Sequence, residues 1–314
     1  MKPIIIDCDP GHDDAIAILL ALAHSDALRL LGVTTVGGNQ SLDKITDNAL
    51  RLLSYVNAEI PLARGAAGPL VVPLVTGEEA HGETGMDGPR LPPSRFQPVR
   101  EHAVEFMARL IRDAGDEVTL VPIGPLTNIA LLLTAYPDLK RKIACISLMG
   151  GGIGEGNMTA AAEFNIYVDP EAAQIVFRSG VPIVMSGLDV TNRAEIFPEE
   201  IERLKRKGKA SVLVGELLDF YSIYSRKLGY DGSALHDPCA VAWLLKPELF
   251  RYEYLHVDVE TRGEITRGMT LADRRRKPGQ APNARVLVDV DREGFIRLIE
   301  DALETLDRRL AAAE

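Results

Sequence analysis

Short apolar runs alternate with helical stretches along most of the chain, and this alternation constrains the fold more than any other feature. The apolar runs read PIIIDC, ALRLLGVTTV, EVTLVPI, KIACISLM and VPIVMSGLDV. The helical stretches read AIAILLALAH, LDKITDNALRLLSYV, HAVEFMARLIRDA, LTNIALLLTAY and PEAAQIVFRS. Strands that alternate with helices form a mostly parallel sheet that is covered on both faces. The sequence therefore predicts an open, Rossmann-like α/β sheet.

The pattern changes after residue 198. Helical stretches cover 198–207, 210–229 and 237–246, and they are followed by the strand candidates YEYLHVDVE and ARVLVDV and by the helix FIRLIEDALETLDRRL. We therefore expect extra helices and strands to extend the sheet at its C-terminal side. No internal repeat or shift in composition marks a boundary, so the expectation is one domain over residues 1–314.

The stretch 66–97, GAAGPLVVPLVTGEEAHGETGMDGPRLPPSRF, is rich in glycine and proline and shows no helical period. A connection of this length is usually a functional lid or a disordered segment. It contains His81 within the segment HGETGMDG.

Charge and cysteine content limit the partners and the compartment. The chain has 314 residues, with 35 Lys and Arg against 45 Asp and Glu, a net charge of -10. This charge repels phosphate backbones and anionic membrane surfaces, so neither nucleic acid nor a membrane is expected as a partner. The 3 cysteines are too few for a disulfide framework. The N-terminus breaks its apolar run with charge after a few residues, and a cytoplasmic protein is expected.

The segment IIIDCDPGHDDA at 4–15 places Asp7, Asp9, Asp13 and Asp14 directly after an apolar strand. Carboxylates at this density repel one another, and burying each one costs several kcal/mol. One or two of them could cap the following helix, but one helix N-terminus does not need all four. The motif therefore predicts a bound cation.

Ligands of open α/β sheets bind beyond the carboxyl ends of the strands. GGNQ at 37–40 follows the second strand and brings Asn39 to this edge, although an Asn after two glycines is also a common turn or cap residue. In VPIGPLTN, Gly124 and Pro125 stop a strand and leave the carbonyl of Ile123 outside the sheet. Carboxylates and a carbonyl are oxygen ligands, so Ca²⁺ or Mg²⁺ is expected and zinc is disfavoured.

Two further stretches carry polar residues at strand or helix ends. LMGGGIGEGNMTAAAEFNIYVDPEAA contains no GxGxxG frame, so we expect no dinucleotide loop. Its residues Asn157, Glu163 and Asn165 are suited to binding hydroxyl groups, with solvated loop positions as the alternative. In ALHDPCAVAWLL, Asp237 and Pro238 fit the cap and first position of a helix, and Asp237 could equally be a ligand.

Six segments follow one another along the chain: DCDPGHDDAIAI, GGN, VPIGPLTN, MGG, EFNIYVDPEAA and HDP. Their order and approximate spacing resemble those of the nucleoside N-ribohydrolases, and the resemblance extends from residue 3 to the last helix. The resemblance implies that a Ca²⁺ ion is bound by Asp9, Asp14, Asp237 and the Ile123 carbonyl, with Asp9 also activating water. It implies that the ribose is held by Asp13, Asn39, Asn157, Glu163 and Asn165, and that Met149 lines the pocket.

The resemblance further implies an enzyme that hydrolyses ribonucleosides to ribose and free base. Positive charge develops on the ribose ring as the bond breaks, so surrounding carboxylates would stabilise the transition state. His236 is the candidate proton donor to the leaving base, because histidine can hold a proton near neutrality. A His before the metal-binding Asp is similar to the branch that acts on pyrimidine or mixed nucleosides.

In that family His81 and the tyrosines Tyr221, Tyr224 and Tyr230 would close over the base, whereas tyrosines at helical spacing more often pack in a core. The relatives are commonly homodimers or homotetramers, which the resemblance extends to this chain.

Two other readings compete with a ribonucleoside hydrolase. A phosphatase of the haloacid dehalogenase type also begins with a strand and a DxD motif, here Asp7 and Asp9, and IVMSG around Ser186 resembles its second motif. Pro-Gly after the DxD and the lack of a matching lysine and acidic pair argue against it. A non-catalytic nucleoside or ribose binding protein would not need so dense an acidic cluster.

Overall fold

The computed structural model describes residues 1–275 and 281–313. Its strands are β1 (Lys2–Cys8), β2 (Leu28–Thr35), β3 (Leu62–Arg64), β4 (Val118–Pro122), β5 (Ile143–Met149), β6 (Ile183–Ser186), β7 (Glu195–Ile196), β8 (Ser233–Ala234), β9 (Phe250–Val259), β10 (Thr270–Asp273) and β11 (Ala284–Val290).

Its helices are α1 (His12–Ala23), α2 (Leu42–Tyr55), α3 (Glu78–His81), α4 (Ala103–Asp113), α5 (Thr127–Ala135), α6 (Phe164–Val168), α7 (Pro170–Phe177), α8 (Leu188–Thr191), α9 (Pro198–Leu204), α10 (Lys209–Lys227), α11 (Pro238–Leu245) and α12 (Arg292–Ala311). Short 3₁₀ turns cover Pro137–Lys142 and Pro247–Leu249. Among these described helices, none combines the length and the apolar character that crossing a bilayer requires.

Nine strands form one sheet in the order β10-β9-β11-β6-β5-β4-β1-β2-β3. The pairs from β11 through β6 to β3 are parallel, whereas β9 runs antiparallel to both β11 and β10. β7 and β8 form a separate antiparallel pair. The predicted mostly parallel sheet, with additional elements at its C-terminal side, is confirmed.

Alternate side chains of β1 enter two different hydrophobic cores. Ile4 and Ile6 pack with residues of α1, α11 and α12, whereas Ile5 packs with residues of α4, α5 and α7. Because successive side chains of a strand point to opposite faces, helices cover both faces of the sheet, as predicted. The carboxyl ends of the parallel strands are left as the open edge.

Two local predictions were wrong. The strand expected over 181–190 ends at Ser186, because its partner β5 ends at Met149, opposite Ser186, and offers no further pairing; α8 follows directly. The stretch 66–97 contains a helix, α3, whose four residues form only about one turn and therefore leave no periodic pattern. The short strands β3, β7, β8 and β10 were not predicted.

Candidate active site

The acidic motif lies at the edge where the carboxyl ends of β1, β2 and β4 meet. Asp9 directly follows β1, and α1 carries Asp13 and Asp14 in its first turn. Asp237 directly precedes α11, which packs against α1. All four side chains are buried, and oxygens of Asp13, Asp14 and Asp237 lie within 4.8 Å of one another. The fold therefore joins carboxylates that are more than 200 residues apart in sequence.

The Asp9 carboxylate is held from one side only. Its Oδ2 accepts a 2.7 Å hydrogen bond from the Asn39 backbone N–H, whereas its buried Oδ1 has no partner among the described residues. Gly124 and Gly38 make room for this side chain, because a Cβ at Gly124 would lie 2.3 Å from Oδ1 and one at Gly38 2.1 Å from Oδ2. Burial, followed by the Asp14 charge, raises the pKa of Asp9 well above its ordinary value.

Asp14 is fixed by the backbone at the start of its own helix. Its Oδ1 accepts from the Asp9 N–H at 3.1 Å and its Oδ2 from the Gly11 N–H at 2.9 Å, with the Asn39 side-chain amide at 3.4 Å. Burial and then the Asp13 charge raise the pKa of Asp14 to about 7. Burial and the charges of Asp13 and Asp14 raise the pKa of Asp237 well above its ordinary range.

The four carboxylates fit a hard divalent cation. The contacts that lower the pKa of Asp9 and Asp14 are hydrogen bonds from amides and from a neighbouring carboxyl, not from cationic side chains. Buried carboxylates that repel one another are stabilised when a cation lies among them. The unpartnered Asp9 Oδ1 is an oxygen aimed at no protein donor. An all-oxygen donor set is the one that Ca²⁺ and Mg²⁺ prefer.

Asn165 connects the carbonyl of Ile123 with Met149. Its Nδ2 donates to the Ile123 carbonyl at 3.0 Å and lies 3.3 Å from both the carbonyl and the Sδ of Met149. Ile123 follows the end of β4, and its N–H donates to the Asp7 carbonyl at 2.8 Å. A carbonyl oxygen has two lone pairs, so the Ile123 oxygen retains one for a further ligand.

Glu163 and Asn157 make structural contacts in the loop before α6. Glu163 is buried and accepts from the N–H groups of Gly151, Asn165 and Ile166 at 2.8, 2.9 and 3.1 Å. Burial raises the pKa of Glu163 to about 7 against these hydrogen bonds. Asn157 is exposed, and its Oδ1 accepts from the Phe164 N–H at 2.9 Å. The structure therefore brings Glu163 to the site edge and leaves Asn157 outside the buried cluster.

Aromatic rings form the other side of the site. His81, at the end of α3, is buried against His12, and both rings stack with Tyr221 of α10 at centroid distances of 5.5 and 5.4 Å. Burial, then His12 and His236, lowers the pKa of His81 well below its ordinary value. Burial and the nearby Asp13 raise the pKa of Tyr221, so its phenol stays neutral beside the acidic cluster.

The remaining predicted residues, His236, Tyr224 and Tyr230, are more exposed than the buried cluster. His236 is half-buried, and its Nδ1 lies 2.8 Å from the Thr191 hydroxyl. Burial lowers the pKa of His236, and Asp13 opposes this shift. Tyr224 is half-buried, whereas Tyr230 is exposed. Of the three tyrosines, only Tyr221 packs against the histidines in the described contacts.

Sequence reasoning missed the residues that hold the site together. Asp7 Oδ1 accepts from the Thr34 hydroxyl at 2.5 Å and from the Asn128 amide at 2.8 Å. His12 and Asn128 belong to the motifs DCDPGHDDAIAI and VPIGPLTN, so the motifs contained a signal for them. Thr34 and Thr191 lie in ordinary apolar stretches and carry no such signal.

Comparisons with known proteins agree with this geometry. A family model described as inosine-uridine preferring nucleoside hydrolase matches residues 4–297. The chain is 55% identical over 306 residues to the pyrimidine-specific ribonucleoside hydrolase RihA of Shewanella sp. (strain ANA-3), covering 96% of each. It is 53% identical over 306 residues to the protein of the same name from Escherichia coli O9:H4 (strain HS), covering 96% of this chain and 98% of that protein.

A solved structure of a purine-preferring ribonucleoside hydrolase from Gardnerella vaginalis superimposes with a TM-score of 0.92 at 32% identity, covering 98% of this chain and 100% of that one. The predicted ribonucleoside hydrolase activity is thereby confirmed, and the phosphatase and binding-protein alternatives are discarded. The model match spans nearly the whole chain and includes every motif on which the resemblance was based. The chain belongs to the inosine-uridine preferring nucleoside hydrolase family.

Proposed function

We propose that this chain hydrolyses pyrimidine ribonucleosides to ribose and the free base. The observation that carries the proposal is the buried acidic cluster, with its unpartnered Asp9 Oδ1, beside a wall of histidine and tyrosine rings. The acidic side suits a ribose and the ring side suits a base. Relatives at 53% and 55% identity that are named pyrimidine-specific support the choice of base.

The proposed cofactor is Ca²⁺, held by Asp9, Asp14, Asp237 and the Ile123 carbonyl. When bound, the cation supplies positive charge that attracts the ribose hydroxyls and makes an adjacent water more acidic. The support is the oxygen-only donor set and the mutual repulsion of the buried carboxylates. Ca²⁺ is chosen over Mg²⁺ because its 6 to 8 ligands, roughly, leave room for substrate oxygens.

Asp9 is the proposed general base. Its Oδ2 is occupied by the Asn39 N–H, which fixes the carboxylate and leaves Oδ1 to take a proton from the attacking water. Proton transfer by a positioned side chain contributes roughly 10² to 10⁴-fold to the rate. The positive charge that develops on the ribose is stabilised by the surrounding carboxylates, of which Asp13 is the one proposed to hold hydroxyl groups.

The remaining ribose contacts are proposed for Asn39, Asn157, Glu163 and Asn165, with Met149 lining the pocket. Asn165 and Met149 support this role because they contact each other and the Ile123 carbonyl. Glu163 keeps a lone pair on Oε1, which accepts only the Asn165 N–H among the described bonds, whereas Oε2 accepts from both Gly151 and Ile166. Asn157 depends on the family resemblance alone, since its side chain lies in an exposed loop.

His236 is the proposed proton donor to the leaving base, and His81 the proposed base contact. The Thr191 hydroxyl engages Nδ1 of His236, so Nε2 remains the atom that can hand over a proton. His236 directly precedes Asp237, so the proposed acid and a proposed metal ligand are adjacent in the chain.

The proposal includes a single domain over residues 1–314, a cytoplasmic location and a homodimer or homotetramer without a nucleic-acid or membrane partner. One sheet with strands from Lys2 to Val290 supports the single domain. The net charge of -10 supports the absence of nucleic acid. The assembly rests on the resemblance, and the compartment on the low cysteine content.

The test is to incubate the purified protein with uridine, cytidine, inosine, adenosine and 2′-deoxyuridine, and to measure free ribose and free base. We expect uridine and cytidine to have the highest kcat/KM, and 2′-deoxyuridine to lose at least about 100-fold because a carboxylate is left unpaired. Metal analysis without chelator should give Ca²⁺ near one per chain. A purine preference would overturn the choice of base, and equal rates for uridine and 2′-deoxyuridine would overturn the ribose site.

A further inference from the structure

The turn that follows His81 is attached by three side-chain donors, which lie on α2 or just before it and are spaced four residues apart. Residues at this spacing are neighbours on one face of a helix. Each donor bonds to one of three consecutive backbone carbonyls: Gln40 to Gly82 at 3.3 Å, Lys44 to Glu83, and Asn48 to Thr84 at 2.9 Å. The turn after the proposed base contact therefore rests on one face of α2.

Asn48 makes a second hydrogen bond, which reaches the acidic motif. Its Nδ2 also donates to the carbonyl of Pro10 at 3.2 Å, and Pro10 lies between Asp9 and the start of α1. A carbonyl only accepts a hydrogen bond, so these two contacts define the orientation of the amide and use both of its hydrogens. The Asn48 side chain is buried. One buried amide therefore joins the acidic motif to the turn after His81.

The turn is shaped to present its carbonyls to α2. The Asp87 carboxylate accepts from two N–H groups within the turn, at 3.0 and 3.2 Å, and so holds the turn together from inside. Gly85 has a φ of 84°, a left-handed conformation that favours glycine. A Cβ at Gly85 would lie 3.1 Å from Gln40 Cγ and 3.3 Å from Asn48 Nδ2. Glycine at this position therefore permits the close approach of the turn to α2.

We propose that Asn48 is a positioning residue that fixes the turn after His81 against the acidic motif, and thereby sets where the base lies relative to the ribose. The proposal rests on the proposed function, because it takes His81 as the base contact. Asn48 itself does not touch the substrate. It acts through the two carbonyls that its amide joins, those of Pro10 and Thr84.

Loss of the Asn48 amide should affect the two sides of the site unequally. Asp9 keeps its hydrogen bond from the Asn39 N–H, and Asp14 keeps those from two backbone N–H groups, so the acidic side retains its own supports. Met86 is buried in the same hydrophobic core as residues of α2, so the turn should stay attached and shift rather than detach. The expected defect is a displaced base contact beside an intact acidic side.

Asn48→Asp is the direct test, because an ionised carboxylate has the shape of the amide but no hydrogen to donate to either carbonyl. Asn283→Asp is its matched control. The Asn283 amide also donates to two carbonyls, those of Phe177 and Val257, at 3.0 and 2.9 Å. Asn283 directly precedes β11, which runs parallel to β6, so it lies at the amino ends of these strands, at the edge opposite the site.

The readout is kcat/KM for uridine and for p-nitrophenyl riboside, whose phenolate leaves without a base contact. For uridine we expect Asn48→Asp to lose roughly 10 to 100-fold, because a misplacement of about 1 Å can cost on the order of 100-fold. For p-nitrophenyl riboside its loss should stay within about fivefold, because the supports of Asp9 and Asp14 remain. Asn283→Asp should change neither value by more than about twofold, since its bonds lie far from the reacting groups.

A double-mutant cycle shows whether Asn48 acts through His81. His81→Ala removes the proposed base contact, so adding Asn48→Asp to it should cost less than about threefold more in kcat/KM for uridine. Losses that multiply in the double variant would overturn the proposal, because Asn48 would then act independently of His81.

Gly85→Ala moves the same turn without altering Asn48, and it decides the question if Asn48→Asp does not fold. It should show the same selective loss on uridine. Gly180→Ala is its control, because Gly180 has a φ of 81° and a Cβ there meets nothing within 4 Å, so this variant shares the backbone strain alone.

The proposal is overturned if a folded Asn48→Asp or Gly85→Ala protein keeps full activity on uridine, or loses activity on both substrates alike. It is also overturned if Asn283→Asp or Gly180→Ala shows the same selective loss. Failure of the wild-type protein on every ribonucleoside would instead refute the proposed function.

Discussion

The acidic side of the site and its ring side are held by different kinds of contact. Asp9 and Asp14 are fixed by backbone N–H groups at the ends of strands and at the start of a helix. His81 lies on the four-residue helix α3 and Tyr221 on α10, and the two are held mainly by the stacking of their rings. The acidic side is therefore tied to the backbone beside the sheet, whereas the ring side depends mostly on contacts between side chains, with backbone bonds at His12 and His81.

The relatives differ in the base that their names give, although the fold is shared. A purine-preferring hydrolase at 32% identity has nearly the same fold, whereas relatives at 53% and 55% identity are named pyrimidine-specific. A shared sheet with a TM-score of 0.92 does not decide the base. We therefore expect base preference to reside in the ring side, and activity on every substrate to depend on the acidic side.

The largest effects should come from the acidic side. Asp9→Ala should keep the binding of a ribose analogue and lose roughly 10² to 10⁴-fold in kcat, because it removes the proposed general base. Asp14→Ala should lose metal and binding together, since Asp14 contacts Asp9, Gly11 and Asn39 as well as the proposed cation. Calorimetric titration and metal analysis on both variants measure the difference.

Glu202→Gln is the matched control for these two variants, because it removes an exposed carboxylate that pairs with Lys205 on the surface. It should retain wild-type kcat/KM. Equal losses of binding in Asp9→Ala and Asp14→Ala would contradict the proposal that Asp9 acts as a base and Asp14 acts only as a metal ligand.

A slightly smaller effect is expected when the acidic side is moved rather than removed. Gly124→Ala would place a Cβ 2.3 Å from Asp9 Oδ1, whereas Gly115→Ala meets nothing within 4 Å. We expect Gly124→Ala to lose roughly 100-fold in kcat on uridine and on p-nitrophenyl riboside alike, because misplaced catalytic groups cost about that much. Full activity of Gly124→Ala would show that Asp9 is not tightly placed.

Most of the sheet could be predicted from the sequence because its strands and helices have long, clear periods. The central strands β1, β2, β4 and β5 were found with bounds that differ by at most one residue at either end. The short strands β3 and β10 could not be found, because three or four residues show no alternation and are defined by their neighbours in the sheet. β6 was overestimated because its end is set by the length of β5.

The acidic side could also be predicted, because Asp9, Asp13 and Asp14 exceed what one helix N-terminus needs. Asp7, which the sequence groups with them, lies inside β1 and accepts from Thr34 and Asn128.

The ring side could not be predicted in this way. His12 was present in the motif, but its contacts with Asp87 and Phe220 join residues that are 75 and 208 positions away in sequence. Thr191 has no local feature that connects it with His236. Such pairs are created by tertiary packing and leave no periodic trace in a single sequence.

A selective effect is expected from the proposed acid. If His236 protonates the leaving base, His236→Ala should slow uridine hydrolysis by roughly 100-fold, within the range of general acid catalysis. Hydrolysis of p-nitrophenyl riboside should change by less than about threefold, because its phenolate leaves unprotonated. Thr191→Val, which removes the hydroxyl on Nδ1, should reproduce a weaker form of the same selectivity. A uniform loss on both substrates would show that His236 supports the acidic side of the site and does not protonate the leaving base.

The smallest effect should come from a pair that serves neither side of the site. Arg267 donates to both oxygens of Glu171, at 2.6 and 2.7 Å, and this hydrogen-bonded pair lowers the pKa of Glu171 below its ordinary value of 4.5. A carboxyl with a lowered folded-state pKa adds stability above its unfolded pKa and loses it as the pH falls through the folded value.

Glu171→Gln should therefore lower the free energy of unfolding by about 1 kcal/mol at pH 7, a value typical of a partly exposed bidentate pair. In a protein of this size that corresponds to a fall in Tm of about 2 °C. The difference from wild type should shrink as the pH falls below about 4.5, because wild-type Glu171 takes up a proton as the pH passes through its lowered pKa. Thermal unfolding at pH 7, 5 and 3.5 measures it, and kcat/KM for uridine at pH 7 should stay unchanged. A stability difference that does not shrink as the pH falls below 4.5 would show that Glu171 acts by packing, whereas a loss of activity would show that α7 transmits its position to Asn165 in the neighbouring helix α6.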